Sequence, residues 1–211
     1  SILLQPGGPD SIQALYPEKQ ELLEYRLDEW DVSIRFRPTD FTQVNASINQ
    51  LMISRALELL EAEADDEVLD LFCGIGNFTL PLARVCKHVT GIEGDSVLVK
   101  IARENARYND VSNAEFITAN LYDTPLDGSW LHQKWDRILL DPPRSGAMEV
   151  IERLPELAPK RIVYVSCNPA TLARDTDLLV NKHGYRLKIA GVMDMFPHTK
   201  HVESIAVFDP A

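Results

Sequence analysis

Only three cysteines occur in the 211 residues, at positions 73, 86 and 167. An odd number with long gaps fits neither a disulfide framework nor a zinc site, so no metal set is expected, and the chain belongs in a reducing compartment, the cytoplasm by default. Long apolar runs are missing too. No stretch approaches the ~18 residues of a membrane span, and the first residues lack the basic and apolar regions of a secretory signal. Positive charge is scarce: 21 Lys and Arg against 32 Asp and Glu give a net charge of -11. That balance is unfavourable for gripping a polyanion, since nucleic-acid affinity comes mostly from basic side chains neutralising phosphates. Internal repeats and low-complexity tracts are absent. What remains is a 45% hydrophobic chain, enough for one domain of ordinary size and a short extra piece.

Composition shifts near residue 40. Residues 1–39 hold Ile2-Leu3-Leu4, a turn at Pro6-Gly7-Gly8-Pro9, and an alternating run, Val32-Ser33-Ile34-Arg35-Phe36-Arg37, that reads as a strand ending at Pro38. This stretch is not self-sufficient; it is expected to be the end of an upstream domain or a linker, with 40–211 as the domain proper. From Val44 to Leu60 apolar residues recur at helical spacing. Strands are then expected at about 67–72, 88–93, 114–118, 136–141 and 161–166, and helices at about 77–86, 95–108, 147–153 and 170–183. Such alternation argues for right-handed βαβ crossovers and a parallel sheet. The end differs, because 184–193 and 201–209 are strand-like runs joined by a loop containing Pro197, with no helix between. A terminal antiparallel hairpin follows. By analogy this is the class I methyltransferase form of the Rossmann-like α/β fold, a mainly parallel sheet with helices on both faces.

Three segments fall at the carboxyl ends of expected strands, where doubly wound sheets bind ligands. The first is Asp70-Leu71-Phe72-Cys73-Gly74-Ile75-Gly76-Asn77-Phe78, a strand, glycine turn and helix start, followed by the acidic Glu93 at the tip of the next strand. Gly74 and Gly76 allow a tight turn and close ligand approach, and a carboxylate at 93 can accept ribose hydroxyls. Read blandly, a glycine pair is a plain βα turn. NAD stays open on spacing, against which stand the acidic residue within the first strand and Thr79 where a dinucleotide fingerprint wants its third glycine. The second segment is Asp141-Pro142-Pro143-Arg144, where two prolines stiffen the exit from the sheet and hold Asp141 at the pocket edge, or merely end a strand. Amino-group methyltransferases carry an aromatic residue in place of Arg144, and cytosine-5 RNA methyltransferases a cysteine, so neither pattern is met. The third is Ser166-Cys167-Asn168-Pro169. Cys73 and Cys86 read as small buried hydrophobes. Cys167 stands instead at a strand end ahead of a helix start, where a lowered thiol pKa would make it a nucleophile.

These segments, with Phe41-Thr42-Gln43-Val44-Asn45 and Asp194-Met195-Phe196-Pro197-His198-Thr199-Lys200-His201-Val202-Glu203, resemble the RNA uracil-5-methyltransferases in one order over 40–211. The run Val165 to Asp175 is most similar to the branch that modifies a uridine of 23S ribosomal RNA; another 23S uridine or a transfer RNA is the alternative, and an NAD-dependent oxidoreductase a distant one. The resemblance implies S-adenosylmethionine held by Gln43, Phe72, Asn77, Glu93, Asn120 and Asp141, with Cys167 as nucleophile and Glu203 as the base that removes a proton. Without it, Glu203 reads as a solvated strand carboxylate. A flipped uridine contacted by Arg144, His198 and Lys200 is implied as well, with no membrane and no obligate protein partner. The family carries an N-terminal RNA-binding domain and, in this branch, a [4Fe-4S] cluster on four cysteines; neither is in this chain, which is therefore expected to bind S-adenosylmethionine but to bind and methylate RNA poorly.

Overall fold

The computed structural model describes the chain apart from residues 1, 9, 10, 18–21, 44, 196 and 200. Val44, Phe196 and Lys200, named above, thus lie outside the described residues. Two hairpins open the chain, β1 (Ile2–Leu4) with β2 (Gln13–Tyr16), and β3 (Leu23–Leu27) with β4 (Val32–Phe36). Helix α1 (Ala46–Leu60) starts where Asn45 accepts from the Ile48 N–H at 3.2 Å, an N-cap that satisfies an otherwise unpaired donor. Then come β5 (Glu67–Leu71), α2 (Thr79–Leu82), β6 (His88–Glu93), α3 (Ser96–Tyr108), β7 (Ala114–Thr118), β8 (Arg137–Leu140), α4 (Met148–Ile151), α5 (Leu154–Leu157), β9 (Arg161–Ser166), α6 (Pro169–Asp177), β10 (Tyr185–Met193) and β11 (Glu203–Pro210). None of the described helices is long and apolar enough to cross a membrane.

Seven strands form one sheet in the order β10-β11-β9-β8-β5-β6-β7. Strands β5 to β9 pair in parallel, while β11 runs antiparallel to both β9 and β10. This is the expected architecture, hairpin included. Strand β5 lies between β6 and β8, so the chain winds outward in both directions from it and leaves a crevice at its carboxyl end. The period of two along each strand divides the core. Val68, Leu139, Val163 and Val165 face the layer of α1, α2 and α3, whereas Leu69, Leu71, Ile138, Leu140, Ile162 and Tyr164 face α4, α5 and α6.

The expected helices are cut shorter than the periodicity suggests. Over 77–86 only Thr79–Leu82 is regular α-helix, because Pro81 offers no N–H and the next turns tighten to Arg84 N–Pro81 O and Val85 N–Leu82 O bonds. The helix expected at 147–153 ends at Ile151, and Pro155 opens α5 in its first turn, the place that tolerates proline. Helix α6 gives way to a wider turn over Leu178–Lys182, with His183 N donating to Leu178 O across five residues.

The β3–β4 hairpin is built into the same core. Leu27, Val32 and Ile34 are all but fully buried among the residues of the first layer. The outward peptide groups of β4 are met by two side chains at the end of α3, Asn105 within it and Asn109 at its C-cap. Asn109 exchanges bonds of 2.7 Å with the Ser33 N–H and carbonyl, and Asn105 does the same with Arg35 at 2.9 and 3.1 Å. Arg35 also lies 3.4 Å from the ring centre of Tyr108, a cation–π contact that adds to the docking.

Candidate active site

Phe72, Asn120, Asp141 and Cys167 stand one or two steps beyond the ends of their strands, Glu93 and Glu203 at strand termini, and the sheet register decides which of them meet. Leu71 of β5 pairs with Ile92 of β6 and Leu140 of β8, so Phe72, Glu93 and Asp141 emerge side by side. Phe72 takes a left-handed φ of 67°; its N–H and that of Cys73 both donate to the Ile92 carbonyl, at 2.9 and 3.1 Å. On the far side Ser166 of β9 pairs with Ser204 of β11. The next antiparallel position puts Cys167 opposite Glu203, and facing residues of such a pair project on the same side with Cβ atoms about 5 Å apart. Both line one cavity of about 510 Å³, within the ~300–1,000 Å³ range of small-molecule sites.

The same cavity gathers every cofactor candidate: Gln43, Phe72, Asn77, Glu93, Asn120 and Asp141. The Glu93 carboxylate is held by the Gly74 N–H at 3.1 Å and the Asp95 N–H at 2.9 Å, one bond per oxygen, which leaves acceptor capacity on each. Asn77 is fixed by Asn49, which trades amide bonds with it at 3.0 and 3.2 Å, and by Tyr25, whose hydroxyl donates to Asn77 Oδ1 at 2.8 Å. Beneath, Asp70 accepts from Thr79 Oγ1 at 2.5 Å, locking the loop onto α2. Gly76 at φ 96° closes the turn in a conformation L side chains avoid. Polar acceptors at one wall, an aromatic pair, Phe72 and Tyr122, at another, and a nucleoside-sized volume fit S-adenosylmethionine. Of the expected RNA contacts, Arg144 lines the cavity; His198 is exposed outside the lining, and Lys200 lies outside the described residues.

Negative charge is crowded here. Burial, and the nearness of Glu203 and Asp70, push the Asp141 carboxyl up to about 8. Burial likewise lifts Glu203 to about 6, with Arg144 opposing, and Asp70 to about 7 despite its Thr79 bond. The Cys167 thiol is raised, by burial first and then by Glu203 and Asp141, while Arg144 pulls it down. This corrects the expectation of a thiol acidified by a helix start. Cys167 precedes the N-cap of α6, and that cap, Asn168, takes the Ala170 N–H at 3.2 Å with its own side chain, so the helix end is already answered. Among the described residues Arg144 is a nearby cation, and it is 2.9 Å from His201 Nδ1. Cys73 and Cys86 are buried with thiols pushed well up, Cys86 to about 12; a Cβ on Gly91 would lie 2.8 Å from Cys73 Sγ, so that thiol is packing.

Among the lining residues that escaped the sequence reading are two tyrosines. Tyr25 reaches the cavity from β3, where no spacing rule connects it to Asn77, and Tyr122 stands in an irregular loop after β7. Only the fold could bring them in.

Comparison with known proteins identifies the family. The family model described as tRNA (uracil-5-)-methyltransferase matches residues 19–209. The chain is 58% identical over 209 residues to the 23S rRNA (uracil(1939)-C(5))-methyltransferase RlmD of Xanthomonas axonopodis pv. citri, covering 99% of this chain and 47% of that protein. It is 56% identical to RlmD of Xylella fastidiosa strain 9a5c, again over 99% of this chain and 47% of the relative. It thus spans about half the length of the curated relatives it matches. Among solved structures, the tRNA (uracil-54, C5)-methyltransferase of Pyrococcus abyssi, in complex with S-adenosyl-L-homocysteine, superposes with a TM-score of 0.75 at 35% identity, covering 90% of this chain and 44% of that one. The TYW2 protein of M. jannaschii, in complex with AdoMet, shares the fold at a TM-score of 0.68 and 20% identity, covering 95% of this chain and 91% of that one. The family model covers almost the whole chain, and the chain belongs to the tRNA (uracil-5-)-methyltransferase family.

Proposed function

We propose that this chain carries the chemistry of methyl transfer from S-adenosylmethionine to carbon 5 of a uridine in 23S ribosomal RNA, with Cys167 as nucleophile and Glu203 as base, and that by itself it binds and methylates RNA poorly. The observation that carries the reading is that Cys167 and Glu203 line one cavity, each one step from the Ser166–Ser204 pair that ends the β9–β11 ladder. The 58% identity to RlmD favours ribosomal over transfer RNA.

Gln43, Phe72, Asn77, Glu93, Asn120 and Asp141 hold the cofactor, whose sulfonium, when bound, supplies an electrophilic methyl carbon. Carbon 5 of uracil is too weak a nucleophile by itself. The Cys167 thiolate therefore adds to carbon 6; the C–S bond forms and the ring double-bond electrons move onto the carbonyl at position 4 as an enolate, which makes carbon 5 nucleophilic. After carbon 5 is methylated, Glu203 takes its proton, the ring double bond re-forms and the C–S bond breaks, returning the thiolate. A carboxyl at about 6 is well matched to that task near neutral pH. Arg144 offsets the charge of both groups. The uridine reaches the thiol by leaving its stack, at a cost of a few kcal/mol that a single-stranded loop largely avoids.

RNA bearing 5-fluorouracil tests this, because fluorine at carbon 5 cannot leave as a proton. With S-adenosylmethionine present, a denaturation-resistant protein–RNA adduct is expected, and none with Cys167→Ala; an adduct that survives this substitution refutes the assignment of the nucleophile. A titration in which NAD binds and S-adenosylmethionine does not would replace the whole reading with that of a dehydrogenase.

A further inference from the structure

Arg144 rides on a segment without regular structure between β8 and α4, yet the backbone of that segment is almost wholly held. Asn168 Nδ2 donates to the Arg144 carbonyl at 3.0 Å, and Arg174 Nη2 to the Ser145 carbonyl at 3.0 Å. The Ala147 N–H donates to Asp175 Oδ2 at 2.9 Å, and that fully buried carboxylate also accepts from the Tyr164 hydroxyl at 2.6 Å. There is no slack at Gly146, where φ is 82° and an added Cβ would lie 2.5 Å from Arg174 Nη2 and 2.6 Å from Asp175 Oδ2. These holders come from β9 and the α6 region, the side of the cavity that presents Cys167.

One holder comes from the opposite side. The Tyr122 hydroxyl donates to the Gly146 carbonyl at 3.0 Å and lies 2.8 Å from Ser145 Oγ. Tyr122 belongs to the loop after β7, two residues beyond Asn120, and its ring packs on that of Phe72 with centroids 5.7 Å apart and planes inclined by 47°. Both rings line the cavity. A single side chain is thus a wall of the cofactor half and a clamp on the segment that bears Arg144. At 36% exposure it has freedom to lose when a ligand covers the ring, and a hydrogen bond made by an ordered donor persists longer than one made by a mobile donor.

We propose that Tyr122 is a positioning residue for methyl transfer, coupling the seating of the cofactor against the Phe72–Tyr122 wall to the setting of Arg144 beside Cys167 and Glu203. The inference rests on the reading that S-adenosylmethionine occupies this cavity. It assigns to Tyr122 no contact with the reacting atoms; the residue acts through the 144–147 segment.

The test compares wild type with Tyr122→Phe, which keeps the ring and removes the hydroxyl. Affinity for S-adenosylhomocysteine is measured by calorimetry, and hydrogen exchange of the 144–147 amides with and without that ligand. In wild type the ligand is expected to slow this exchange by about tenfold, the equivalent of one persistent hydrogen bond. In Tyr122→Phe the affinity stays within about threefold, while the ligand-dependent slowing falls below about twofold. A merely structural role for the hydroxyl would speed exchange equally with and without ligand, leaving the ratio unchanged, and that result overturns the proposal. So does binding by wild type without any slowing. Folded wild type that does not bind S-adenosylhomocysteine removes the cofactor reading itself, and the proposal with it. If Tyr122→Phe fails to fold, Ser145→Ala is read in its place: a ratio reduced by about threefold supports the coupling, and an unchanged ratio rejects it.

Discussion

Glu203→Gln should make the folded chain more stable and the enzyme inactive, with the first effect confined to one side of a pH boundary. Glu203 is 3% exposed, and its carboxyl is raised from 4.5 to about 6 by burial that Arg144 only partly offsets. A raised carboxyl binds its proton more tightly in the folded than in the unfolded chain, so its contribution is fully present below about 4.5 and is lost as pH rises through about 6. At about 1.4 kcal/mol per pKa unit, the ionised group costs the fold about 2 kcal/mol by pH 8 and less than about 1 kcal/mol at pH 5. Glutamine preserves the shape of the neutral acid and abolishes the titration. Urea denaturation followed by circular dichroism at both values should therefore show a gain of about 2 kcal/mol for the variant at pH 8, shrinking toward pH 5. The same variant, given uridine RNA and S-adenosylmethionine, should accumulate a covalent adduct it cannot resolve. A stability gain no larger at pH 8 than at pH 5 would refute the burial argument.

Alkylation of Cys167 by iodoacetamide should be slow at pH 7.5 and rise with pH, since the thiol is held above its ordinary range by burial and two carboxyl groups; Glu203→Gln should speed it, and a fast reaction in wild type at neutral pH would contradict the electrostatics. Glu93→Ala should weaken S-adenosylmethionine binding by about 1.5–3 kcal/mol, the worth of a charged hydrogen-bond acceptor, measured by calorimetry; an unchanged affinity would take Glu93 out of the cofactor site. Asn105→Ala removes bonds to both peptide groups of Arg35 and to the Ile75 carbonyl and should cost about 2–3 kcal/mol in urea denaturation; a loss under about 0.5 kcal/mol would mean water replaces them.

The parallel strands could be read from sequence because burial on both faces demands continuous apolar runs, as in Ile138 to Leu140 or Ile162 to Val165. The short helices could not, since periodicity carries through Pro81 and past Ile151 where the hydrogen bonding does not. Glu203 illustrates a deeper limit. Nothing within its own strand sets it apart; its nearness to Cys167 follows from the antiparallel ladder that ends one step away, at Ser166 and Ser204. Cys167 itself was placed correctly at a strand end, but its acidity depends on neighbours brought in from β8 and β11. Alternation in Val32 to Phe36 marked β4 as a strand, yet its attachment to Asn105 and Asn109, some 70 positions away, has no local trace.

Asn105 in α3 and Asn109 at its C-cap each offer a donor and an acceptor, as a peptide group does, so the helix end impersonates a neighbouring strand. A two-stranded ribbon with an open edge invites other chains to add to it. Here the vacant edge of β4 is sealed from within, and replacing Asn105 and Asn109 together should increase self-association at high concentration, measurable by light scattering.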